Sequence, residues 1–442
     1  MNVKSILFGT AAGLAVISMA KAADLPSRKA APVEYVRICS EHGKGFFYIP
    51  GSDTCIRIGG RVIADTQINQ AGDRNTDTVQ FGSQGRMYLD ARNSTPYGTL
   101  RVYVRYQLDW GNGNLLADYA TAANSGASNA YPSLNKGFIQ FAGLTAGRIT
   151  SFFDFYANFD TFTALRVSDH NANVLGYTAT FGDGFTASLA IEDGVLRRSG
   201  YVHYDFGGPY GSIHEIPSAG QTLPDVVGNI RVDQGWGAAR LAAALHQVRP
   251  AYTQNFNFDN THDTEYGFAV SGGLKINLPF LAPGSEFWFE GTYADGALGY
   301  LGMGGEKQTG GVRVNAADAF LDLDGKIVTA EGYSLVADLL HYWTPSIRQN
   351  VFASYASVKY GRKGYEAVSV GGMTYNSGVV DFNEVKVGTN LIWSPIQSFD
   401  IGAEIFYSRL DPKGRVPDFY NPARTISSDD TWQGRLRILR EF

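Results

Sequence analysis

The stretch Trp432–Phe442, WQGRLRILREF, decides the fold class of this chain. Apolar or small side chains alternate with polar or basic ones, as they do in a strand that has one apolar and one polar face. The first set is Trp432, Gly434, Leu436 and Ile438, and the second is Gln433, Arg435 and Arg437. An alternating strand that ends on an aromatic residue, here Phe442, is typical of outer-membrane β-barrels, where it closes the barrel and is recognised for insertion. We therefore expect a barrel in a lipid bilayer, with Phe442 as its assembly signal.

The first 22 residues have the features of a secretory signal peptide. Lys4 precedes an apolar run from Ile6 to Ala20, and Ala20-Lys21-Ala22 is a cleavage pattern that predicts removal before Ala23. No later stretch approaches ~18 uninterrupted apolar residues, so we expect no transmembrane helix. An exported chain without such a helix is either soluble in the periplasm or a barrel.

The composition favours the barrel. Glycine (52 residues), tyrosine (25) and phenylalanine (27) are abundant, yet the mean hydropathy is only -0.15. A barrel needs apolar residues only on its outer face and concentrates aromatic residues at the two membrane interfaces, so its mean hydropathy resembles that of a soluble protein. No linker divides the chain. We predict a signal peptide at 1–22, a periplasmic N-terminal segment with a disulfide hairpin at 23–54, and an outer-membrane β-barrel at 55–442.

The charge and the cysteines argue against other classes of protein. Lysine and arginine total 37 and aspartate and glutamate 42, so there is no basic excess to indicate a nucleic-acid partner. Cys39 and Cys55 are an even number of cysteines in an exported chain, which predicts a structural disulfide. Because only His42 lies near them in sequence, they offer too few ligands for a metal site. We expect neither a metal nor another cofactor.

Strand periodicity extends along the chain. In Leu100–Trp110 apolar residues alternate with arginine, glutamine and aspartate, and Tyr266–Leu278 and Phe399–Tyr407 alternate similarly. Short connections alternate with long ones, and the long ones lie near 111–134, 152–173, 193–225, 249–263, 295–331, 361–379 and 410–428, with a shorter one near 70–76. This layout predicts an antiparallel transmembrane barrel of about sixteen strands, a size that encloses a water-filled channel. Val351–Tyr360 lacks a clean polar face, which indicates a subunit interface or a shifted register.

Motifs for catalysis are missing from the sequence. It contains no G-x-S-x-G, no H-E-x-x-H, no Walker A pattern and no dinucleotide-binding glycine motif between a strand and a helix. An aspartate and histidine pair assembled on the loops, for example from His203, Asp205 and His262, is the alternative. We expect a protein without catalytic residues.

Arginines recur on the polar phase of the first three strands and of the last one. They are Arg57, Arg61, Arg86, Arg92, Arg101, Arg105, Arg435 and Arg437. Because the last strand of a closed barrel lies beside the first, these arginines would share one wall of the pore. Asp65, Asp90 and Asp109 dilute this positive charge without cancelling it. The alternative is that the arginines merely extend to the interface or pair locally.

Three blocks of sequence resemble one family. Phe46–Gly60 (FFYIPGSDTCIRIGG), Ala142–Arg148 (AGLTAGR) leading into Phe152–Tyr156 (FFDFY), and the terminal Arg440–Phe442 are similar to the alphaproteobacterial, rhizobial-type general porins. The resemblance covers essentially the whole chain. It implies a homotrimer of 16-stranded barrels that pass small hydrophilic solutes, with a third long loop folded inward to narrow the pore. By position, that loop is Ser151 to about Asn173.

The loop carried over from this resemblance supplies the acidic half of a constriction. It contains Asp154, Asp160 and Asp169, and Arg166 is its one strong base. Acidic groups that face an arginine wall would set up a transverse field, which orients water and polar solutes. The alternatives within and beyond this architecture are a ligand-selective channel, for example for a sugar, and a surface adhesion or recognition barrel.

The expected partners follow from this location. They are outer-membrane lipid and lipopolysaccharide, two further copies of the chain in a homotrimer, and the barrel-assembly machinery. The mature N-terminus, Ala23–Pro32, is polar and broken by proline, so we expect it to be a periplasmic tether that contacts or is attached to peptidoglycan.

Overall fold

A computed structural model describes residues 37–72, 74, 77–112, 128–156, 160–204, 213–216, 218–251, 264–321, 326–361, 368–370, 373–375 and 380–442. The predicted signal peptide at 1–22 and the tether at 23–32 lie outside the described residues. The chain divides into two compact units, Met1–Cys55 and Ile56–Phe442. No helix within the described residues is both long and apolar enough to cross a membrane.

The first unit contains a short hairpin closed by a disulfide. Cys39 and Cys55 are bonded to each other and buried, with Phe46 packed against them, so the predicted disulfide is confirmed. The backbone N–H of Cys39 donates to the carbonyl of Phe46 at 2.9 Å. Glu41 and His42 lie beside the sulfurs, with all four donor groups within 4.8 Å of one another. Because both sulfurs are in the disulfide, they are not thiolates that could hold a metal.

The second unit is built from a closed antiparallel barrel of sixteen strands, as predicted. We label them β1 (Cys55–Asn69), β2 (Val79–Thr95), β3 (Gly98–Asn112), β4 (Ser128–Phe141), β5 (Leu144–Thr150), β6 (Asn171–Gly182), β7 (Phe185–Glu192), β8 (Asp225–Gln234), β9 (Gly237–Val248), β10 (Glu265–Asn277), β11 (Glu286–Asp295), β12 (Glu331–Thr344), β13 (Ile347–Lys359), β14 (Phe382–Ile396), β15 (Phe399–Pro412) and β16 (Asp429–Glu441). The strand that ends the chain pairs with the first, from Arg61 opposite Glu441 to Asn69 opposite Gln433. This pairing removes both edges of the sheet.

The connections alternate in length, and the short ones are tight turns. Between β6 and β7, Asp183 has φ 49° and Gly184 has φ 80°. Two successive positive φ angles match the twist of paired antiparallel strands, and an Asp-Gly pair adopts them readily. An added Cβ on Gly184 would lie 1.9 Å from the carbonyl oxygen of Asp233, so the neighbouring strand also requires glycine there.

The long connections contain their own short elements. Two single turns of 3₁₀-helix lie at Val195–Arg197 and Leu298–Leu301. Antiparallel pairs form between Gly305–Thr309 and Val312–Ala316, between Val368–Val370 and Met373–Tyr375, and between Val416–Asp418 and Asn421–Ile426. The remaining short strands are Tyr201–Tyr204, Ile213–Ile216, Ala319–Leu321 and Ile327–Thr329.

The two faces of the strands differ as the alternation predicts. In β16 the side chains of Trp432, Leu436 and Ile438 are exposed on the outer face, and in β3 those of Tyr106 and Trp110 are exposed. A water-soluble protein would bury side chains of this kind, whereas the outer face of a barrel presents them to lipid. The polar residues between them therefore face the interior of the barrel.

The largest difference from the predicted strand boundaries is at the start of β4. β4 begins at Ser128, inside the stretch 111–134 that the sequence predicted as a loop. Pro132 makes this strand hard to recognise in the sequence, because proline has no N–H to donate to a neighbouring strand and usually indicates a strand end or a bulge. The register shifts between Arg105 and Tyr106, which oppose Lys136 and Leu134, and this leaves Asn135 as a bulge residue.

The interior of the barrel is not uniform. The inward residues of β13, including Phe352, Ala356 and Val358, are buried in hydrophobic clusters. Phe155 packs in the cluster of Phe352, and Leu298 packs in the cluster that contains Ala356 and Val358. Val351–Tyr360 thus lacks a clean polar face because protein, rather than water, covers its inward side.

Candidate functional site

The eight predicted arginines lie on the inward phase of β1, β2, β3 and β16. Their sequence neighbours Val62, Met87 and Leu436 are exposed on the outer face, so the arginines point the other way. We call the inward faces of β1–β4 and β16 the arginine wall. The side chain of Arg57 lies over the ring of Tyr88, with its guanidinium carbon 5.4 Å from the ring centroid. The role of these arginines in conduction stays a prediction.

Three arginines of the wall are bound by carboxylates. Asp90 accepts from Nη2 of Arg92 at 2.8 Å and from Nε of Arg101 at 3.0 Å. Asp65 accepts from Nη2 of Arg437 at 2.7 Å. Both carboxylates are buried. Each one offsets positive charge locally, so these arginines contribute less to the field in the pore than their number suggests.

Other arginines of the wall are held by neutral amides. Arg435 of β16 donates through Nε to the side-chain oxygen of Gln67 at 3.2 Å, and its Nη1 donates to the carbonyl of Phe162, in the connection between β5 and β6, at 2.5 Å. Nε and Nη2 of Arg61 donate to the amide oxygen of Gln84 at 3.1 and 2.9 Å. Nε of Arg86 donates to the amide oxygen of Gln107 at 2.9 Å. The amide nitrogens of Gln84 and Gln107 donate in turn to Asp109, at 2.8 and 2.7 Å. A single carboxylate therefore orients two guanidinium groups through intervening amides.

The same pattern extends to β4. Nε of Arg105 donates to the side-chain oxygen of the bulge residue Asn135 at 2.7 Å. Lys136, directly opposite Arg105 in the register, donates to the hydroxyl of Thr150. The bulge thus places the neutral side chain of Asn135 beside Arg105, as a hydrogen-bond acceptor from a residue that is not its direct cross-strand partner.

Residues 151–170, called here the inner loop, connect β5 to β6 and contact strands far from both. The N–H of Tyr156 donates to Glu290 of β11 at 2.9 Å, and its hydroxyl donates to Asp338 of β12 at 3.0 Å. The N–H of Phe162 donates to Glu404 of β15 at 2.7 Å. Carboxylates on inward positions therefore hold the described parts of the loop along the opposite side of the barrel.

The structure differs from the expectation at Asp154. Its side chain is 7% exposed and accepts from the N–H of His170 at 2.6 Å and from Nη2 of the buried Arg197 at 3.0 Å. Burial alone would lower the pKa of Arg197, but the adjacent Asp154 carboxylate and Tyr300 outweigh it, so the pKa is raised. Asp154 is thus a structural ion-pair partner rather than a charge that faces the channel.

Asp160 and Arg166 are also paired with charges of the barrel strands. Nε of Arg348 donates to Asp160 at 2.8 Å, and Nη2 of the same arginine donates to Asp400 at 2.8 Å. Nη2 of Arg166 donates to Glu384 at 2.8 Å. Both loop charges that were expected to act on solutes are thus offset by partners on β13, β14 and β15.

Asp169 is the acidic residue of the inner loop that matches the expectation most closely in position. Its side chain is exposed, and it interacts electrostatically with Arg105 and Lys136 of the arginine wall. Of the three loop aspartates, it is the exposed one that interacts with that wall. Its effect on solutes stays a prediction.

A comparison with known families assigns the chain. A family model described as "Porin subfamily" matches residues 24–434. The chain belongs to this porin family. The porin is 24% identical to porin Omp2b of Brucella abortus (strain 2308) over 460 aligned residues, which cover all of both chains. It is 29% identical to porin Omp2b of Brucella suis over 316 residues, covering 67% of this chain and 75% of the relative.

A solved structure supports the same fold. The outer membrane channel DcaP of Acinetobacter baumannii matches this porin with a TM-score of 0.59 at 14% identity, over 89% of this chain and 99% of that one. Family and fold together make the protein a channel-forming barrel of the bacterial outer membrane. Of the alternative catalytic group, Asp205 and His262 lie outside the described residues, as does the side chain of His203.

The porin also contains site residues that the sequence did not identify. They are the inward carboxylates Glu290, Asp338, Glu384 and Glu404 and the inward Arg348. The inward faces of β11–β15, which carry these residues, are called the anchoring wall. The sequence pattern could have identified these carboxylates. Acidic residues recur on the inward phase of the C-terminal strands, whereas arginines recur on the inward phase of the N-terminal ones. Alternation alone did not say that a loop would bind them.

Proposed function

We propose that this protein is a general diffusion porin, which passes small hydrophilic solutes and ions through a water-filled channel. One observation carries the proposal: the inner loop is bound to carboxylates of the anchoring wall, including Glu290 and Glu404, while the arginine wall carries charged side chains on its inward face. The loop also reaches Arg435 of β16, so it narrows the opening and leaves the inward faces of β1–β4 to line it. No binding site for a single substrate is required.

A transverse field is part of the proposal, with fewer charges than the sequence indicated. On the loop side, Asp169 faces the wall, and Asp154, Asp160 and Arg166 are offset by partners. On the other side, the arginine wall supplies the positive charge. Polar solutes would orient between the two and apolar ones would be slowed.

Single-channel recording of the purified protein in a planar bilayer tests the function. We expect steady open channels without added ligand. Exchanging Glu290 and Glu404 for glutamine places amide donors against the donors of the loop, so the double variant should give larger and noisier openings. The control is Glu265→Gln, at the exposed start of β10. Equal conductance in all three proteins would contradict a constriction by the inner loop, and a wild type without channels would contradict the diffusion function itself.

One observation favours a second candidate, a sugar-selective channel. The rings of Tyr88, Tyr103 and Phe138 stack along the inward faces of β2, β3 and β4, with centroid separations of 5.9 and 5.2 Å. Arg101 covers Tyr103 and Phe138, however, and Phe138 is buried, so little ring surface is open to a sugar. Block of single channels by maltodextrins at micromolar concentration would favour this candidate over free diffusion.

Assembly and partners belong to the same proposal. The N–H of Phe442 donates to the carbonyl of Gly60 and the N–H of Gly60 to that of Phe442, both at 3.0 Å, while the Phe442 ring is largely exposed. The ring is therefore open to recognition by the barrel-assembly machinery. We propose a homotrimer embedded in lipid and lipopolysaccharide, tethered to peptidoglycan by the N-terminus. Deletion of Phe442 should reduce heat-modifiable barrel and trimer on semi-native gels without reducing export, and unchanged amounts would contradict this.

A further inference from the structure

We propose that the channel selects anions, and that Arg61, Arg86, Arg105 and Lys136 form a path for small solutes that carry phosphate or carboxylate groups. The proposal rests on the diffusion function proposed above and names its substrate class. We call these four residues the cationic path. They lie on the inward phase of four successive strands, β1 to β4.

The four cations lie close enough to act together. Arg61 and Arg86 each interact electrostatically with Arg105 as well as with one another, and Lys136 interacts with Arg86 and Arg105. All four side chains are half-buried, so each keeps part of its surface open to the interior of the barrel. An anion that leaves one of them is therefore still attracted by the next.

The partners of these cations determine what they can bind. Amide and hydroxyl oxygens fix the side chains of the cationic path without cancelling their charge, in contrast to the carboxylates that bind Arg92, Arg101 and Arg437. Among the described residues, Arg61 and Arg86 donate through Nε and Nη2 and make no side-chain hydrogen bond through Nη1. A guanidinium with spare donors suits phosphate and carboxylate oxygens.

The acidic groups around the path do not balance it. Several carboxylates act on the four cations. Asp109 is bound by two amides. Asp169 interacts with Arg105 and Lys136 from the inner loop, and Glu441 opposes Arg61 across β1 and β16. Asp65 and Asp90 are occupied by arginines outside the path. Fixed charges act over roughly a Debye length, ~10 Å at 0.1 M salt, so the excess of cations would attract anions into a narrow passage.

Reversal potentials under a potassium chloride gradient at low salt test the selectivity. Wild type should prefer chloride, and the double variant Arg61→Gln with Arg86→Gln should lose most of that preference. The matched control is Arg231→Gln with Asp233→Asn on β8, outside both walls, which makes the same arginine substitution but removes a whole ion pair, so its reversal potential should stay at the wild-type value. An open channel that prefers potassium, or a double variant with unchanged selectivity, would overturn the inference.

Inorganic phosphate tests the substrate class. Arg86→Lys keeps the charge and loses the planar set of donors, so we expect chloride selectivity to persist while the permeability of phosphate relative to chloride falls several-fold. Equal phosphate permeability in wild type and Arg86→Lys would overturn the oxyanion path. A wild type that forms no channels would instead contradict the diffusion function, so the two failures are distinguishable.

Discussion

The β1–β4 part of the arginine wall and the anchoring wall are made from the same element, the inward phase of antiparallel strands, but they have opposite tasks. On the arginine wall, Arg61 and Arg86 are fixed by neutral amides and remain charged toward the interior. On the anchoring wall, Glu290 and Glu404 are buried and bind the backbone of the inner loop. The difference teaches that a polar residue on an inward phase is not by itself a pore residue. Its partner decides whether it faces water or holds protein.

The largest effect is expected at the buried ion pair that fixes the inner loop. Arg197→Gln leaves the carboxylate of Asp154 buried without its charged partner. Removing one partner of such a pair costs about 3–5 kcal/mol, so the unfolding midpoint in urea should fall strongly. Asp169→Asn, in the same loop but exposed, is the control. Similar midpoints for both variants would mean that the pair does not hold the loop.

A smaller loss of stability is expected at the N-terminal disulfide. Cys39→Ser with Cys55→Ser removes the disulfide of the N-terminal unit, for which chain-entropy arguments suggest about 3 kcal/mol. Because Cys39 precedes the barrel and Cys55 is only the first residue of β1, away from Arg61 and the other cations of the path, single-channel conductance should be unchanged. A changed conductance would show that the disulfide hairpin also shapes the pore.

Acid should loosen the inner loop at its end near β6, where His170 lies. Burial, together with the nearby positive charge of Arg197, lowers the pKa of His170 to about 4 from an ordinary value of about 6.5. Because the pKa is lower in the folded state than in the unfolded state, the neutral imidazole of His170 contributes to the stability of the fold above pH ~6.5. This contribution is lost as the pH falls through 4. Channel noise should therefore increase in this window. His170→Gln cannot titrate and should respond less; an identical pH response would assign the effect to another group.

The smallest effect is expected from the exposed charge of the inner loop. Asp169→Asn removes a negative charge that faces Arg105 and Lys136, so selectivity should shift modestly further toward anions and the shift should fade in concentrated salt. Asp160→Asn, whose charge is already shared with Arg348, should shift selectivity less. A larger shift from Asp160→Asn would reverse the assignment of the two aspartates.

The sequence predicted the parts of this architecture that depend on local pattern. The alternation in Leu100–Trp110 and Trp432–Phe442 predicted which side chains face inward and which face outward. Closure of the barrel by the last strand was predicted from the same pattern. The partners of the loop charges could not be predicted in this way. Asp160 and Arg348 are 188 positions apart, and Arg166 and Glu384 are 218 apart, so each pairing depends on the register of many strands and on the path of the loop. The alternation of side chains along one strand carries no information about the register of distant strands or about the path of the loop.

Water accessibility of single introduced cysteines tests the contrast between the walls most directly. Arg86→Cys and Ala356→Cys both replace inward residues, one on the arginine wall and one on β13 of the anchoring wall. The native cysteines are joined in a disulfide and do not react. We predict that a charged, membrane-impermeant thiol reagent labels Arg86→Cys rapidly and alters its single-channel current, and that Ala356→Cys stays unlabelled. Equal labelling at both positions would contradict the account, because water would then reach both walls alike.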